Sequence, residues 1–330
     1  MTQAINFFTD DDNLSNEVAF DPWRKLASDW LFNFNSARTR DNYRRAILFF
    51  FRFVDLHPEA VSQSDVLRFR YIMEGENYRE GTINQRLAAI SSFFAAAIER
   101  GLRADNPANA VKRKAVNPYG KATFLEAEQD LQLLQAVDRN TAKGKRDYAI
   151  LLIFLTTAVR VDAVANLRMK DFRQQGDTAF MQYKNKGGEI VEKKLQPLLI
   201  AALVEYLDTR SDLLPDSPVF VASDLGKRGI EHLHGQQESE KLLSSRSIQR
   251  MVQDYADLAF GQGHGITPHS LRHTAAMNAI TNGASVIEVS RLLRHKNMRV
   301  TTIYVQHVSD KADEAISEKL ARRYSNTDLC

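Results

Sequence analysis

Apolar positions recur at three- and four-residue steps along most of the chain, the period of one face of an α-helix. Between residues 22 and 112, Trp23, Leu26, Trp30 and Phe34 form one such stripe and Tyr43, Ile47, Phe50, Phe51 and Val54 a second. Ile83, Leu87, Ile90, Phe93, Phe94 and Ala97 form a third. Ser62 with Asp65 reads as a capping pair opening a further helix. Residues 19–112 are therefore expected to make an all-helical bundle. Residues 1–18 carry Asp10, Asp11, Asp12 and Glu17 without an apolar period and read as a frayed acidic tail.

The run from Lys112 to Lys121 is basic, broken by Pro118 and Gly120, and has no apolar period. It predicts an interdomain linker over 113–122. Beyond it, in a second domain over 123–330, helical spacing recurs over 124–137, 145–167, 198–209, 247–259, 268–282, 285–293 and 301–308. Strand-type residues Phe180, Tyr183, Ile190 and Val191 flank Gly187-Gly188 and predict a hairpin over 179–195. Ser285 with Glu288 forms a capping box, and Gly283 suits the stop of the helix before it. Residues 310–323 place Ala312, Ala315, Ile316, Leu320 and Ala321 on one helical face, which suits docking on a neighbouring protomer or, alternatively, packing onto its own domain. The fold class expected is mainly α with a small β-sheet (α+β): a helical N-terminal bundle and a mixed, mostly helical second domain.

Composition narrows the function classes. A chain of 330 residues exceeds the length at which one core stops growing, about 250–300 residues, so two domains are expected. Hydrophobic content of 44% with 26% charged residues is that of an ordinary globular protein. The most apolar stretch, 148–161, is shorter than the roughly 20 residues of a membrane span, and no basic-then-apolar signal segment opens the chain. No membrane association is expected, and the cytoplasm is the expected compartment. The single Cys330 offers neither a disulfide framework nor a thiolate cluster. His232 and His234 lack partners at metal-ligand spacing and read as a solvated loop, so no metal is expected.

A net charge of +3 permits nucleic-acid binding without requiring it. The first domain interleaves Arg38, Arg40, Arg44 and Arg86 with Thr39, Thr82 and Asn84. Guanidinium forks match phosphate oxygens and the shorter donors fix register, so these residues, with Lys121 in the linker, are candidate DNA contacts. An ordinary solvated helix face has the same composition. In the second domain, Thr267 and Pro268 suit an N-cap and first helical position, which puts His269 and Arg272 on one face of an opening turn. An anion there would meet an imidazole, a guanidinium and the positive end of the helix.

Arg160, Lys186 before the glycine turn, His269-x-x-Arg272, His295 and Tyr304 stand in that order, with nine residues from His295 to Tyr304. The set resembles the catalytic signature of the tyrosine recombinase, or phage integrase, family. The pattern from Ser36 through Phe51 and Asn106-Pro107-Ala108 resembles the family's core-binding domain, and the two-domain layout resembles Xer-like members. The resemblance implies a catalytic domain of the tyrosine recombinase type and an enzyme that breaks and rejoins DNA without a metal or ATP cofactor. Arg160 and Arg272 would hold the scissile phosphate and Tyr304 would attack it. His269 would act as base, Lys186 as general acid, and His295 would bind the phosphate or orient Tyr304.

The implied partners are double-stranded DNA with a specific recombination site and further copies of the chain, forming a tetramer in synapsis; a heteromeric recombinase partner fits the same resemblance. Two departures stand out. Ala163 occupies the place of an acidic residue three positions after the first arginine, and Arg294 replaces a glycine before the second histidine. Lys184, Lys193 and Lys194 lie close enough in sequence to compete with Lys186. The same chemistry would serve a type IB topoisomerase-like or hairpin-forming resolvase enzyme, and the fold without catalysis would serve a DNA-binding relative.

Overall fold

The computed structural model describes residues 21–116, 123–126, 128–176, 178–185, 188–211, 213–222 and 242–294. The chain divides into two compact units at Pro118 and Tyr119. Among the described residues there are eleven α-helices and one three-stranded antiparallel sheet, the mainly-α composition with a small sheet that the hydrophobic pattern predicts.

The first unit is helical: α1 (Pro22–Phe32), α2 (Ala37–Val54), α3 (Gln63–Gly75) and α4 (Glu80–Glu99). Each of α1 to α3 starts where a polar side chain accepts from an orphan backbone amide, Asp21 from Trp23, Ser36 from Thr39 and Ser62 from Asp65. The three apolar stripes meet in one core built largely of aromatic rings, with Trp23, Phe50, Phe51, Phe69, Phe93 and Phe94 all buried. Phe51 and Phe93 cross edge-on at 5.7 Å and Trp30 stacks on Tyr43 at 5.8 Å, geometries that add about 0.5–1.5 kcal/mol each to the area they bury. Residues 112–114 are tied back to this bundle: Arg70 donates to the Lys112 carbonyl, Asn84 to the Lys114 carbonyl at 2.8 Å, and Lys114 pairs with Glu74 at 3.1 Å.

The second unit is organised around α6 (Ala142–Thr157), whose run from Ala149 to Phe154 is buried on every side. Around it lie α5 (Gln129–Gln135), α7 (Val161–Ala165), α8 (Pro197–Leu207), α9 (Ser245–Phe260), α10 (Pro268–Thr281) and α11 (Val286–Leu293). The sheet runs β1 (Phe172–Gln175), β2 (Thr178–Lys184), β3 (Ile190–Lys194), in that spatial order. Met181, Tyr183 and Val191 project from one face into the core, and Tyr183 pairs with Val191 across the hairpin.

Three elements differ from the sequence reading. The helix expected over 145–167 breaks at Ala158, which takes a left-handed conformation at φ 54°, so that Arg160 enters α7 from an extended backbone. Apolar spacing continues across the break because both helices face one core, which conceals it. The helix expected over 124–137 shrinks to α5 as Leu125 extends, its amide donating to the Thr274 hydroxyl of α10 at 2.8 Å. β1, Phe-Arg-Gln-Gln, has no apolar alternation to announce it and is held by its register with β2. The tail 1–18, Lys121, His232, His234 and the helices expected over 301–308 and 310–323 lie outside the described residues.

Candidate active site

The break in α6 creates the site. Ala158 closes the helix with its own amide on the Phe154 carbonyl, two residues follow in extended form, and α7 starts at Val161. Arg160 stands half-buried at this corner, and its Nη1 donates to the side-chain oxygen of Asn185, the residue that follows β2. Asp162, the acid nearest it in sequence, accepts from the Ser245 hydroxyl at 2.6 Å instead, and Ala163 packs against the apolar core.

The second arginine comes from α10. Thr267 and Ser270 form a capping box there, with Pro268 at the first helical position as the sequence predicts. From Ser270 to Met277 the helix is buried, while His269 in its first turn keeps an open face to solvent. Arg272 is 4% exposed, and such deep burial of a guanidinium demands partners. Its Nη1 donates to the Ala158 carbonyl and its Nη2 to the Leu293 carbonyl, so one cation serves the C-terminal ends of α6 and α11, where helix dipoles favour positive charge. His273, one turn beyond His269 and buried, crosses its ring nearly perpendicularly at 4.3 Å between centroids.

A third group of cations gathers at the end of α11. Arg294 caps that helix in a left-handed conformation, φ 50° and ψ 48°, where glycine is the usual residue. This accounts for the glycine expected there and shows that arginine tolerates the same turn. Its guanidinium lies 3.6 Å from the Glu189 carboxylate on the β2–β3 hairpin. Lys193 of β3 donates from Nζ to the Leu292 carbonyl at 3.0 Å.

The closeness of these groups shifts their proton affinities. Burial first, then the Arg272 and Arg160 cations, hold the His269 imidazole below the usual histidine range. Burial, then Arg294 and Arg272, bring the Lys193 ammonium down to about 8. Burial raises the Tyr183 phenol against the pull of Arg272, Arg294 and Arg160. Arg160, His269 and Arg272, chosen from sequence, thus share one positively charged site. Lys193, Arg294, Asn185 and Tyr183 join them. Of these, Arg294 and Lys193 were visible in the sequence only as a departure and a competitor. Asn185 carried no signal beyond preceding the glycine turn, and Tyr183 reads from sequence only as a strand-type residue of the hairpin. A neutral base, fixed guanidiniums and a lysine of lowered proton affinity can bind a phosphate diester and move protons at it. Among the described residues no three His, Cys, Asp or Glu side chains are placed to hold a metal ion. Lys186, His295 and Tyr304 lie outside the described residues.

The candidate DNA contacts of the first unit are placed as follows. Arg38 is exposed and Thr39 half-buried at the start of α2, and Arg40 is tied to the Phe34 carbonyl at 2.7 Å. Arg44 and Thr82 are half-buried and Asn84 holds the Lys114 carbonyl. Arg86 lies over the rings of Phe49 and Tyr78, at 3.7 and 4.7 Å, with Nη1 on the Met73 sulfur.

Comparison with known proteins gives a consistent picture. Residues 123–311 match the phage integrase family, and residues 27–103 match the phage integrase N-terminal SAM-like domain. A tyrosine recombinase of Synechococcus elongatus is 30% identical over 301 residues, covering 87% of this chain and 90% of its own. Tyrosine recombinase XerC of Chlamydia trachomatis is 29% identical over 245 residues, 74% of this chain and 72% of its own. Among solved structures, XerH recombinase bound to its palindromic difH substrate superposes with a TM-score of 0.64 at 17% identity, covering 84% of this chain and 79% of its own. A lambda integrase tetramer bound to a Holliday junction superposes at 0.67 with 15% identity, covering 89% and 78%. At those identities the superpositions speak for the fold.

Proposed function

Because the chain belongs to the phage integrase family, the tyrosine-type site-specific DNA recombinases, we propose that it exchanges strands between two duplex sites through a covalent 3′-phosphotyrosine on Tyr304. The observation that carries this reading is the shared site of Arg160, Arg272 and His269, in which both guanidiniums act on one imidazole. Two fixed guanidiniums are suited to the non-bridging oxygens of a phosphodiester, and they favour the added charge of a pentacoordinate transition state without a metal.

In this reading the Tyr304 oxygen attacks phosphorus, its proton passes to His269, and the bond to the 5′-oxygen breaks. A phenol with a reference pKa near 10 needs such a base at neutral pH, and the lowered proton affinity of His269 keeps its imidazole free to accept. Lys186 protonates the departing oxygen, with Lys193 as the alternative donor since its ammonium already stands in the site. His295 binds the phosphate or orients Tyr304. The phosphodiester energy stays in the tyrosyl link, so a 5′-hydroxyl from the partner strand reverses the steps and reseals the backbone without ATP. A tetramer on two synapsed sites in the cytoplasm is the working assembly, by likeness to the junction-bound lambda integrase tetramer. Arg38, Thr39, Arg40, Arg44, Thr82, Asn84, Arg86 and Lys121 contribute phosphate contacts.

The test is incubation of the full chain with a randomised pool of nicked suicide duplexes, in which the short fragment bearing the new 5′-hydroxyl diffuses away and leaves the adduct unable to religate. The wild-type protein is expected to yield a protease-sensitive protein–DNA adduct and Tyr304→Phe none. Equal adduct from both proteins refutes the assignment of the nucleophile.

A further inference from the structure

The geometry points to Asn185 as the positioning residue of Arg160, aiming the guanidinium through a neutral acceptor so that its full charge remains for the phosphate. The inference rests on the proposed role of Arg160 and adds how that side chain is held.

An arginine side chain at a chain corner has several rotatable bonds, and a phosphate clamp works only if they are fixed before the substrate arrives. The usual device is a carboxylate in the second contact layer. Here, among the described residues, Arg160 forms no ion pair with a carboxylate, and its Nη1 donates to the Asn185 side-chain oxygen. The two acids that could compete are engaged elsewhere: Asp162 with the Ser245 hydroxyl at 2.6 Å and Glu189 with Arg294 at 3.6 Å. Ala163, three residues after Arg160, has no polar side-chain atom, and only its backbone amide meets Arg160, at the carbonyl.

Asn185 is itself pinned. Its amide donates to the Glu189 carbonyl at 2.8 Å and its carbonyl accepts from Gly188 at 3.0 Å, which closes the end of the β2–β3 hairpin. The side chain therefore leaves a rigid backbone. Among the described residues, one of the five guanidinium N–H groups is used. The choice of amide over carboxylate matters electrostatically, because a carboxylate would offset the charge that should meet the phosphate, whereas an amide dipole does not. The same hydrogen bond couples Arg160 to the β2–β3 hairpin.

The test compares wild type, Asn185→Ala, Asn185→Asp and the double variant Asn185→Ala/Ala163→Glu. Single-turnover cleavage of a suicide duplex by Asn185→Ala is expected to slow about 10- to 100-fold while its DNA affinity stays within about threefold, since only aim is lost. The Ala163→Glu change places a carboxylate at the third position of α7, three residues after its extended N-cap Arg160, and is expected to recover about tenfold of that loss. Wild-type cleavage rates in Asn185→Ala, equal loss of affinity and rate, or no recovery in the double variant would each overturn the inference. A measurement without DNA separates this from failure of the functional reading. In ¹⁵N-guanidinium NMR, the rotation of the Arg160 Nη groups should be restricted in wild type and Asn185→Asp and free in Asn185→Ala. Equal rotation in wild type and Asn185→Ala overturns it whether or not any duplex is cleaved.

Discussion

Lys193 permits a test whose sign and size follow from its surroundings. Its ammonium is partly buried beside Arg294 and Arg272, so the charged form is disfavoured and the proton affinity falls from the usual 10.5 to about 8. A lysine whose folded-state value lies below its unfolded one contributes stability that is present above about 10.5 and is lost as pH falls through about 8. The full difference corresponds to at most ~3 kcal/mol, and solvent screening on the open side of the side chain reduces this to ~1.5 kcal/mol. Lys193→Met removes that penalty but also the hydrogen bond to the Leu292 carbonyl, worth about 1 kcal/mol. The two proteins should thus be nearly equal in stability at pH 7.5, and wild type should gain on the variant by ~1.5 kcal/mol by pH 10.5. Paired urea denaturation curves at the two pH values measure the gap. A gap that does not change with pH would mean that Lys193 titrates as an ordinary surface lysine, and the description of a charged, desolvated site around it would be wrong.

Other outcomes follow from the same site. The lowered proton affinity of His269 means that the acid limb of single-turnover cleavage should have its midpoint below the usual histidine value of 6.5, with His269→Ala abolishing that limb; a midpoint above 6.5 contradicts the neutral base. Arg272→Met strands two buried helix-end carbonyls, Ala158 and Leu293, at about 1–3 kcal/mol each, and should lower the urea midpoint markedly even without DNA; an unchanged midpoint would show that the guanidinium does not serve them. Arg294→Gly relieves a left-handed arginine, worth ~1–2 kcal/mol, against a surface ion pair of ~0.5 kcal/mol and the looser unfolded chain of glycine, ~0.4–1 kcal/mol. Its thermal midpoint should stay level or rise slightly, and a clear fall would assign Arg294 a larger structural role.

Much of this architecture was legible because helices advertise themselves. The aromatic stripes of α1, α2 and α4 face a single core, and the caps at Ser62, Thr267 and Ser285 name the helix starts they close. The hairpin over β2 and β3 was visible in the strand-type residues around its glycines. What the sequence concealed are features set by tertiary partners. Nothing local announces that Ala158 will turn left-handed, since its amide closes α6 while its carbonyl is claimed by Arg272 from 114 residues away. The same is true of the Arg160–Asn185 hydrogen bond, whose partners are 25 residues apart and of ordinary type. The order of Arg160, His269 and Arg272 could be read from the chain, but the burial of Arg272 and the open face of His269 are consequences of how α10 packs.

In the proposed mechanism Arg160 and Arg272 act on the charge of the scissile phosphate. The most direct measurement pairs Arg160→Ala with suicide duplexes that carry either a phosphate or an uncharged methylphosphonate at the cleavage position. On the phosphate, removal of the guanidinium should slow cleavage by about 100-fold or more, and on the methylphosphonate, where no anionic oxygen pair develops, the loss should shrink to a few-fold. Equal losses on the two duplexes would contradict the claim, because Arg160 would then be acting on something other than phosphate charge.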